Sequence, residues 1–200
     1  MAASQEELRT PRERYRDALR RQILDAAREA FVRHGYEGVS MRQVAEKVGC
    51  SHGNLYLHFK DKEALFDSLV EESFEQFADG LRKVPESARR GDPVEFIRKM
   101  GRAYVEFGLA NASVYEFAFM MRRPGINKPG VTYDRLRSLV KRCIDEKRFR
   151  RMDIDAASQS LWAAAHGITS LLIHRPTYPW ADRDTLIGQI IDAAVDGLLA

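Results

Sequence analysis

The sequence predicts an all-α chain of nine helices in two domains. Apolar residues recur at helical spacing through every long segment, and no segment sustains the period-2 alternation of a strand. Helix-starting and helix-stopping residues punctuate those segments at regular intervals. The N-terminal third also holds two short helices joined by a tight turn, with a polar face on the second.

The first helix is expected from about Pro11 to His34, with Ile23, Ala26, Ala27, Ala30 and Phe31 on one face and Gly35 as its stop. Ser40 followed by Gln43 is a capping-box start for the second. In it Met41, Val44, Ala45 and Val48 form one stripe, and Gly49 supplies the exit because glycine takes a left-handed conformation without a Cβ penalty. Cys50 makes the turn as a small hydrophobe. Ser51 caps the third helix, and Leu55 and Phe59 return to the core at i, i+4. Asp61 caps a fourth helix that carries Leu65, Phe66, Leu69, Val70, Phe74 and Phe77 until Pro85. After the loop PESARRGDP, Asp92-Pro93 opens a fifth helix running to about Ala110. A sixth is expected from Ala112 to Arg122, broken by RRPGINKPG, and a seventh from Thr132 to Lys147. Asp153 or Asp155 opens the eighth, to about His174, and Asp182 or Asp184 the ninth, to the C-terminus. The boundary falls near residue 66, giving domains 1–66, with a basic N-terminal arm, and 67–200.

Two short helices across a tight turn are the shape that sets a recognition helix in the major groove of double-stranded DNA. Charge agrees. Residues 1–62 hold 12 Lys and Arg against 9 Asp and Glu, residues 63–200 hold 20 against 20, so the net +3 lies in the first part. Arg9, Arg12, Arg14, Arg16, Arg20 and Arg21 crowd the arm and the start of the first helix. Ser51, His52, Gly53 and Asn54 form the first turn of the third helix, whose amides favour a phosphate. His52 and Asn54 suit base edges or the adjacent backbone. Gly53 costs roughly 1 kcal/mol relative to alanine inside a helix, which makes sense if the backbone must approach DNA closely. Tyr56 offers a hydroxyl and Lys62 a point charge to phosphate, and Arg42 can reach a guanine as a bidentate donor.

The stretch ILDAAREAFVRHGYEGVSMRQVAEKVGCSHGNLYLHFKDKEALF, Ile23 to Phe66, resembles the DNA-binding domain of TetR-type transcriptional regulators in order and spacing. That resemblance implies an all-α homodimer with a three-helix DNA-binding head and a larger ligand-binding and dimerisation body. It implies phosphate contacts at Ser40, Ser51, Tyr56, His58 and Lys62, and base contacts at Arg42, His52, Gly53 and Asn54. Cys50 and His52 depart from the residues usual at their positions, which bears on the operator sequence rather than the fold. WAAAHGITSLLIHRP, Trp162 to Pro176, is similar to the W…HG pattern of one subgroup of the family's C-terminal domains.

The second domain carries more apolar surface than support of the head demands. Met100, Tyr104, Phe107, Tyr115, Phe119, Met120, Trp162 and His166 are the expected lining of a small-molecule site, since Met and aromatic side chains suit an adaptable pocket. Leu186, Ile187, Ile190, Ile191 and Ala194 give the last helix two apolar faces, and with the alanine-rich eighth helix they suit an intersubunit four-helix bundle. The expected partners are therefore an operator DNA, a second copy of the chain, and an effector of unspecified identity, hydrophobic or aromatic in character.

Hydrophobic content of 44% with 30% charged is ordinary for a globular protein. No apolar run reaches membrane-span length and no signal region opens the chain, so the expected location is cytoplasmic and no membrane partner is expected. Cys50 and Cys143 make no disulfide framework. His52 and His58, six residues apart on one helix, face different ways and make no zinc site. Without a Ser/His/Asp or Cys/His arrangement or a phosphate loop, no catalytic, metal or cofactor site is expected.

Overall fold

The computed structural model describes residues 10–83, 91–121 and 131–200. The arm residue Arg9, the helix stop at Pro85 and the breaker RRPGINKPG lie outside the described residues. Among those described, nine helices form: α1 (Pro11–His34), α2 (Met41–Val48), α3 (His52–His58), α4 (Lys62–Arg82), α5 (Pro93–Ala110), α6 (Ala112–Tyr115), α7 (Val131–Asp145), α8 (Ile154–His174) and α9 (Arg183–Asp196). The sole β feature among them is an isolated bridge between Phe149 and Leu199. No described helix is long and apolar enough to cross a membrane.

Side-chain caps set most of the helix starts. Ser40 accepts from the Gln43 amide while the Gln43 side chain accepts from the Ser40 amide at 2.8 Å. Thr10 and Glu13 form a second such box at α1, one that the sequence pattern had not singled out. Asp61, Asp92, Asp153 and Asp182 cap α4, α5, α8 and α9. Of the alternatives, Asp153 and Asp182 therefore hold the cap, while Asp155 and Asp184 sit in the first turns. Gly49 ends α2 at φ 75°, ψ 26°, with its amide donating to the carbonyls of Ala45 and Glu46.

The expected sixth helix is corrected. Only Ala112–Tyr115 is α-helical, and Glu116–Met120 follows as a π-helical turn closed by the Met121 amide on the Glu116 carbonyl at 3.0 Å. The extra residue in that turn re-aims every side chain after Tyr115.

The chain divides into two compact units. The first comprises residues 1–73 together with 116–124. Its core joins Ile23, Leu24, Ala27 and Phe31 of α1 to Val44 and Ala45 of α2, Leu55 of α3, and Leu65, Phe66 and Leu69 of α4. Phe117 from the π-turn is buried in the same core, 4.8 Å from Phe66 and 6.0 Å from Phe31 between ring centroids. The second unit holds 74–115 and 125–200. Here α5, α8 and α9 pack mutually, with α7 against α8. Val94, Ile97, Val140, Cys143, Leu161 and Val195 share one core there. Arg98 and Arg102 of α5 both pair with Asp192 of α9, at 3.1 and 2.8 Å.

Candidate nucleic-acid interface

Alternation between buried and exposed positions gives the head a polar face. Met41, Val44 and Ala45 hold α2 in the core and Leu55 and Phe59 hold α3, so the residues between them point outward. Ser40, Arg42, Ser51, His52, Gly53, Asn54 and Tyr56 are all exposed, and His58 and Lys62 half-buried. The Ser51 hydroxyl accepts from the Asn54 amide at 3.2 Å, fixing the first turn of α3. His52 and Tyr56, one turn apart, meet edge to face at 5.6 Å.

Arg42 donates through Nε to Glu46 at 2.8 Å, an exposed pair along α2. Lys62 is more constrained than a solvated point charge. Its Nζ donates to the Tyr36 carbonyl at 3.0 Å and stands 4.3 Å from the Tyr36 ring centroid. A Cβ added at Gly53 would meet only the Ser51 Oγ, at 4.0 Å, so nothing inside the chain requires glycine there. The His58 imidazole is held below its usual range, first by burial and then by the charges of Arg16 and Arg20.

Leu57 belongs to this face although spacing alone did not single it out. It is 83% exposed between Tyr56 and His58. The signal was available: Leu57 lies outside the i, i+4 pair Leu55–Phe59 that returns α3 to the core, which leaves an apolar side chain among polar ones.

In the second unit, four of the expected effector-site residues come together. The Tyr115 hydroxyl lies 2.7 Å and the Tyr104 hydroxyl 3.2 Å from His166 Nδ1, and Trp162 Nε1 donates to the Tyr104 hydroxyl at 3.3 Å. Burial lowers the His166 pKa, pushes Tyr104 up to about 12 and raises Tyr115 further, so all three are neutral near pH 7. Phe107 packs on Phe77 at 5.4 Å, and Met100 is half-buried on α5. Phe119, half-buried, and Met120, exposed, lie in the π-turn that groups with the first unit, where Phe117 and Met121 pack on the head core.

On α9, Ile187 and Ile191 are spent inside their own unit, Ile191 against Gly101 of α5. That removes them from the outer face, which retains Leu186, Ile190 and Ala194, all half-buried, and the exposed Ala193. On α8, Ala163 and Leu171 are exposed, and a Cβ at Gly167 would meet nothing.

Residues 23–69 match the model of bacterial regulatory proteins of the tetR family, and residues 97–198 match that of the tetracyclin repressor-like C-terminal domain. An HTH-type transcriptional repressor of Mycobacterium tuberculosis is 44% identical over 61 residues, 30% of this chain and 33% of that protein. The HTH-type transcriptional repressor AcnR of Corynebacterium glutamicum is 43% identical over 60 residues, 30% of this chain and 32% of its own. These alignments thus span about a third of the relatives' length. A protein of unknown function from Rhodococcus sp. RHA1 superposes with a TM-score of 0.75 at 25% identity, covering 91% of this chain and 96% of that one. The fatty acid degradation regulator FadR of Bacillus halodurans shares the fold at TM-score 0.74 and 20% identity, over 90% and 96% of the two chains.

Proposed function

The chain belongs to the tetR family of bacterial regulatory proteins, and from that premise we propose that it is a homodimeric repressor released from its operator by a small hydrophobic or aromatic effector. DNA binding is the family's activity. The observation that supports these residues as its agents is the exposed first turn of α3, where Ser51, His52, Gly53 and Asn54 make no contribution to the core. In this reading Ser40, Ser51, Tyr56, His58 and Lys62 bind phosphate. Arg42, His52 and Asn54 face base edges, Gly53 admits the backbone, and Leu57 offers an apolar contact to a thymine methyl. Two heads related by a two-fold axis would take half-sites about one helical turn apart.

The dimer reading rests on the outer rows of α8 and α9, where Ala163 and Ala193 are exposed and Gly167, Leu186, Ile190 and Ala194 half-buried, small and apolar groups that a partner could cover. The effector reading rests on the neutral cluster of Tyr104, Tyr115, Trp162 and His166. Its hydrogen-bonding groups satisfy one another, which favours an apolar or aromatic guest. Chain connectivity supplies the route from body to head. Helix α4 runs unbroken through the boundary at residues 73 and 74, and Tyr115 and Phe117, two residues apart, serve the interiors of different units. An effector releases DNA only if it prefers the released state, by about 10⁴-fold to move a 1:99 population to 99:1.

Selection of bound fragments from random DNA by the purified chain tests the central claim. A two-fold symmetric sequence is the expected outcome, and failure of any sequence to emerge rejects operator reading.

A further inference from the structure

We propose that the first three turns of α1 form a second DNA contact, a basic helical arm that grips phosphates flanking the half-site read by α3. The proposal rests on the DNA-binding reading above and adds a surface that lies outside the helix-turn-helix.

The stripe of α1 that packs the head changes character along its length. Phe31, Ala27 and Leu24 are fully buried, and the same row continues at i−4 intervals as Arg20, Arg16 and Arg12, all exposed. From Pro11 to Ala18 nothing is buried, so this end of the helix extends about 12 Å without core contact. A helix this far from a core needs another reason to persist, and Thr10, Pro11 and Glu13 cap it firmly.

The arginines there are set apart by clustering: elsewhere among the described residues Arg33, Arg135, Arg150, Arg151 and Arg175 also lack an ion pair, but five such arginines share the first three turns of α1. Arg28, Arg42, Arg98, Arg137, Arg142 and Arg148 each have a carboxylate partner. Among the described residues, Arg12, Arg14, Arg16, Arg20 and Arg21 have no ion pair. The row also borders the recognition helix. The Arg20 guanidinium stands 5.1 Å from the Phe59 ring centroid, at the end of α3. Arg16 and Arg20 both act on the His58 imidazole, with Asp17 opposing them there. Positive charge thus begins at Arg20, beside the end of α3, and runs along α1 through Arg16 to Arg12. A row of arginines outside any ion pair, beside a DNA-reading helix, fits a polyanion, and phosphates flanking the half-site are the polyanion at hand.

The test is the salt dependence of binding by the full chain, measured on its selected fragment and on a random duplex between about 50 and 200 mM salt. The Arg12→Gln/Arg16→Gln double variant should lower the slope of log K against log salt by ~1.8 per protomer on both duplexes. Preference for the selected fragment should stay unchanged. Gln matches Arg closely in helix propensity and neither site touches the core, so the fold is kept. Arg12→Lys/Arg16→Lys should restore the wild-type slope, since phosphate needs only charge. A wild-type slope in the Gln variant, or no restoration by Lys, overturns the arm. The random-duplex slope needs no operator, so it decides the arm even if selection yields no sequence and the operator reading fails.

Discussion

The Arg42–Glu46 pair lies in water, where salt screens it and it contributes little, so Arg42 can exchange Glu46 for a guanine edge. Tyr56 differs in kind: half-exposed and stacked edge-on to His52, it presents one hydroxyl from a stiff ring. Arg42→Ala should therefore relax preference at one base pair, where a bidentate contact discriminates roughly ten- to a hundredfold. Tyr56→Phe should instead weaken binding to most sequences alike. Titration of both variants against an operator series checks this, and an unchanged base preference in Arg42→Ala removes Arg42 from base readout. Residue types and spacing made these positions legible, because polar residues on helices that bury Met41, Val44 and Ala45 (α2) or Leu55 and Phe59 (α3) are left to point outward. Lys62 and Leu57 were less so. The carbonyl that holds Lys62 comes from Tyr36, 26 residues away.

Gly108 of α5 is a point of close approach to α8 in the body. A Cβ there would stand 2.4 Å from the Thr169 methyl and 3.0 Å from the Tyr115 ring. Gly108→Ala gains about 1 kcal/mol in helix propensity, but overpacking a buried contact costs ~1–3 kcal/mol, and the clash prevails. Denaturant unfolding should show a net loss, while a more stable variant would mean that α5 and α8 part easily. The cluster those helices enclose also predicts a pH response. Burial lowers the folded pKa of His166 below its unfolded value near 6.5, so the unfolded chain takes up the proton first as pH falls. Stability should be level above about pH 7 and decline below about 6.5. His166→Asn should decline less below about pH 6.5 in urea titrations; an equal decline would assign the effect to other groups, His58 among them. Helix existence and starts were legible because caps are local. The π-turn was not: it accompanies the burial of Phe117 among Phe31 and Phe66, contacts at long sequence separation.

At the scale of the whole molecule, the proposed homodimer would carry two heads, and the row Leu186, Ile190 and Ala193 on α9 is the surface proposed to join them. Ile190→Glu should place a charge in that joint, leave the chain monomeric in analytical ultracentrifugation, and weaken operator binding by orders of magnitude. A dimer that survives it moves the interface elsewhere. The sequence by itself determined the all-α class, the order and approximate bounds of the helices, the helix-turn-helix and the basic bias of the first 62 residues. Each of these depends on neighbours within one or two turns: periodicity, caps, a left-handed glycine. Only the tertiary structure decided that Phe119 and Met120 group with Phe117 in the first unit, that Ile187 and Ile191 are consumed by their own core, and that Tyr104, Tyr115, Trp162 and His166 meet. Those outcomes turn on which of two apolar faces finds a partner, and a helical pattern reports that a face is apolar without saying what it will touch.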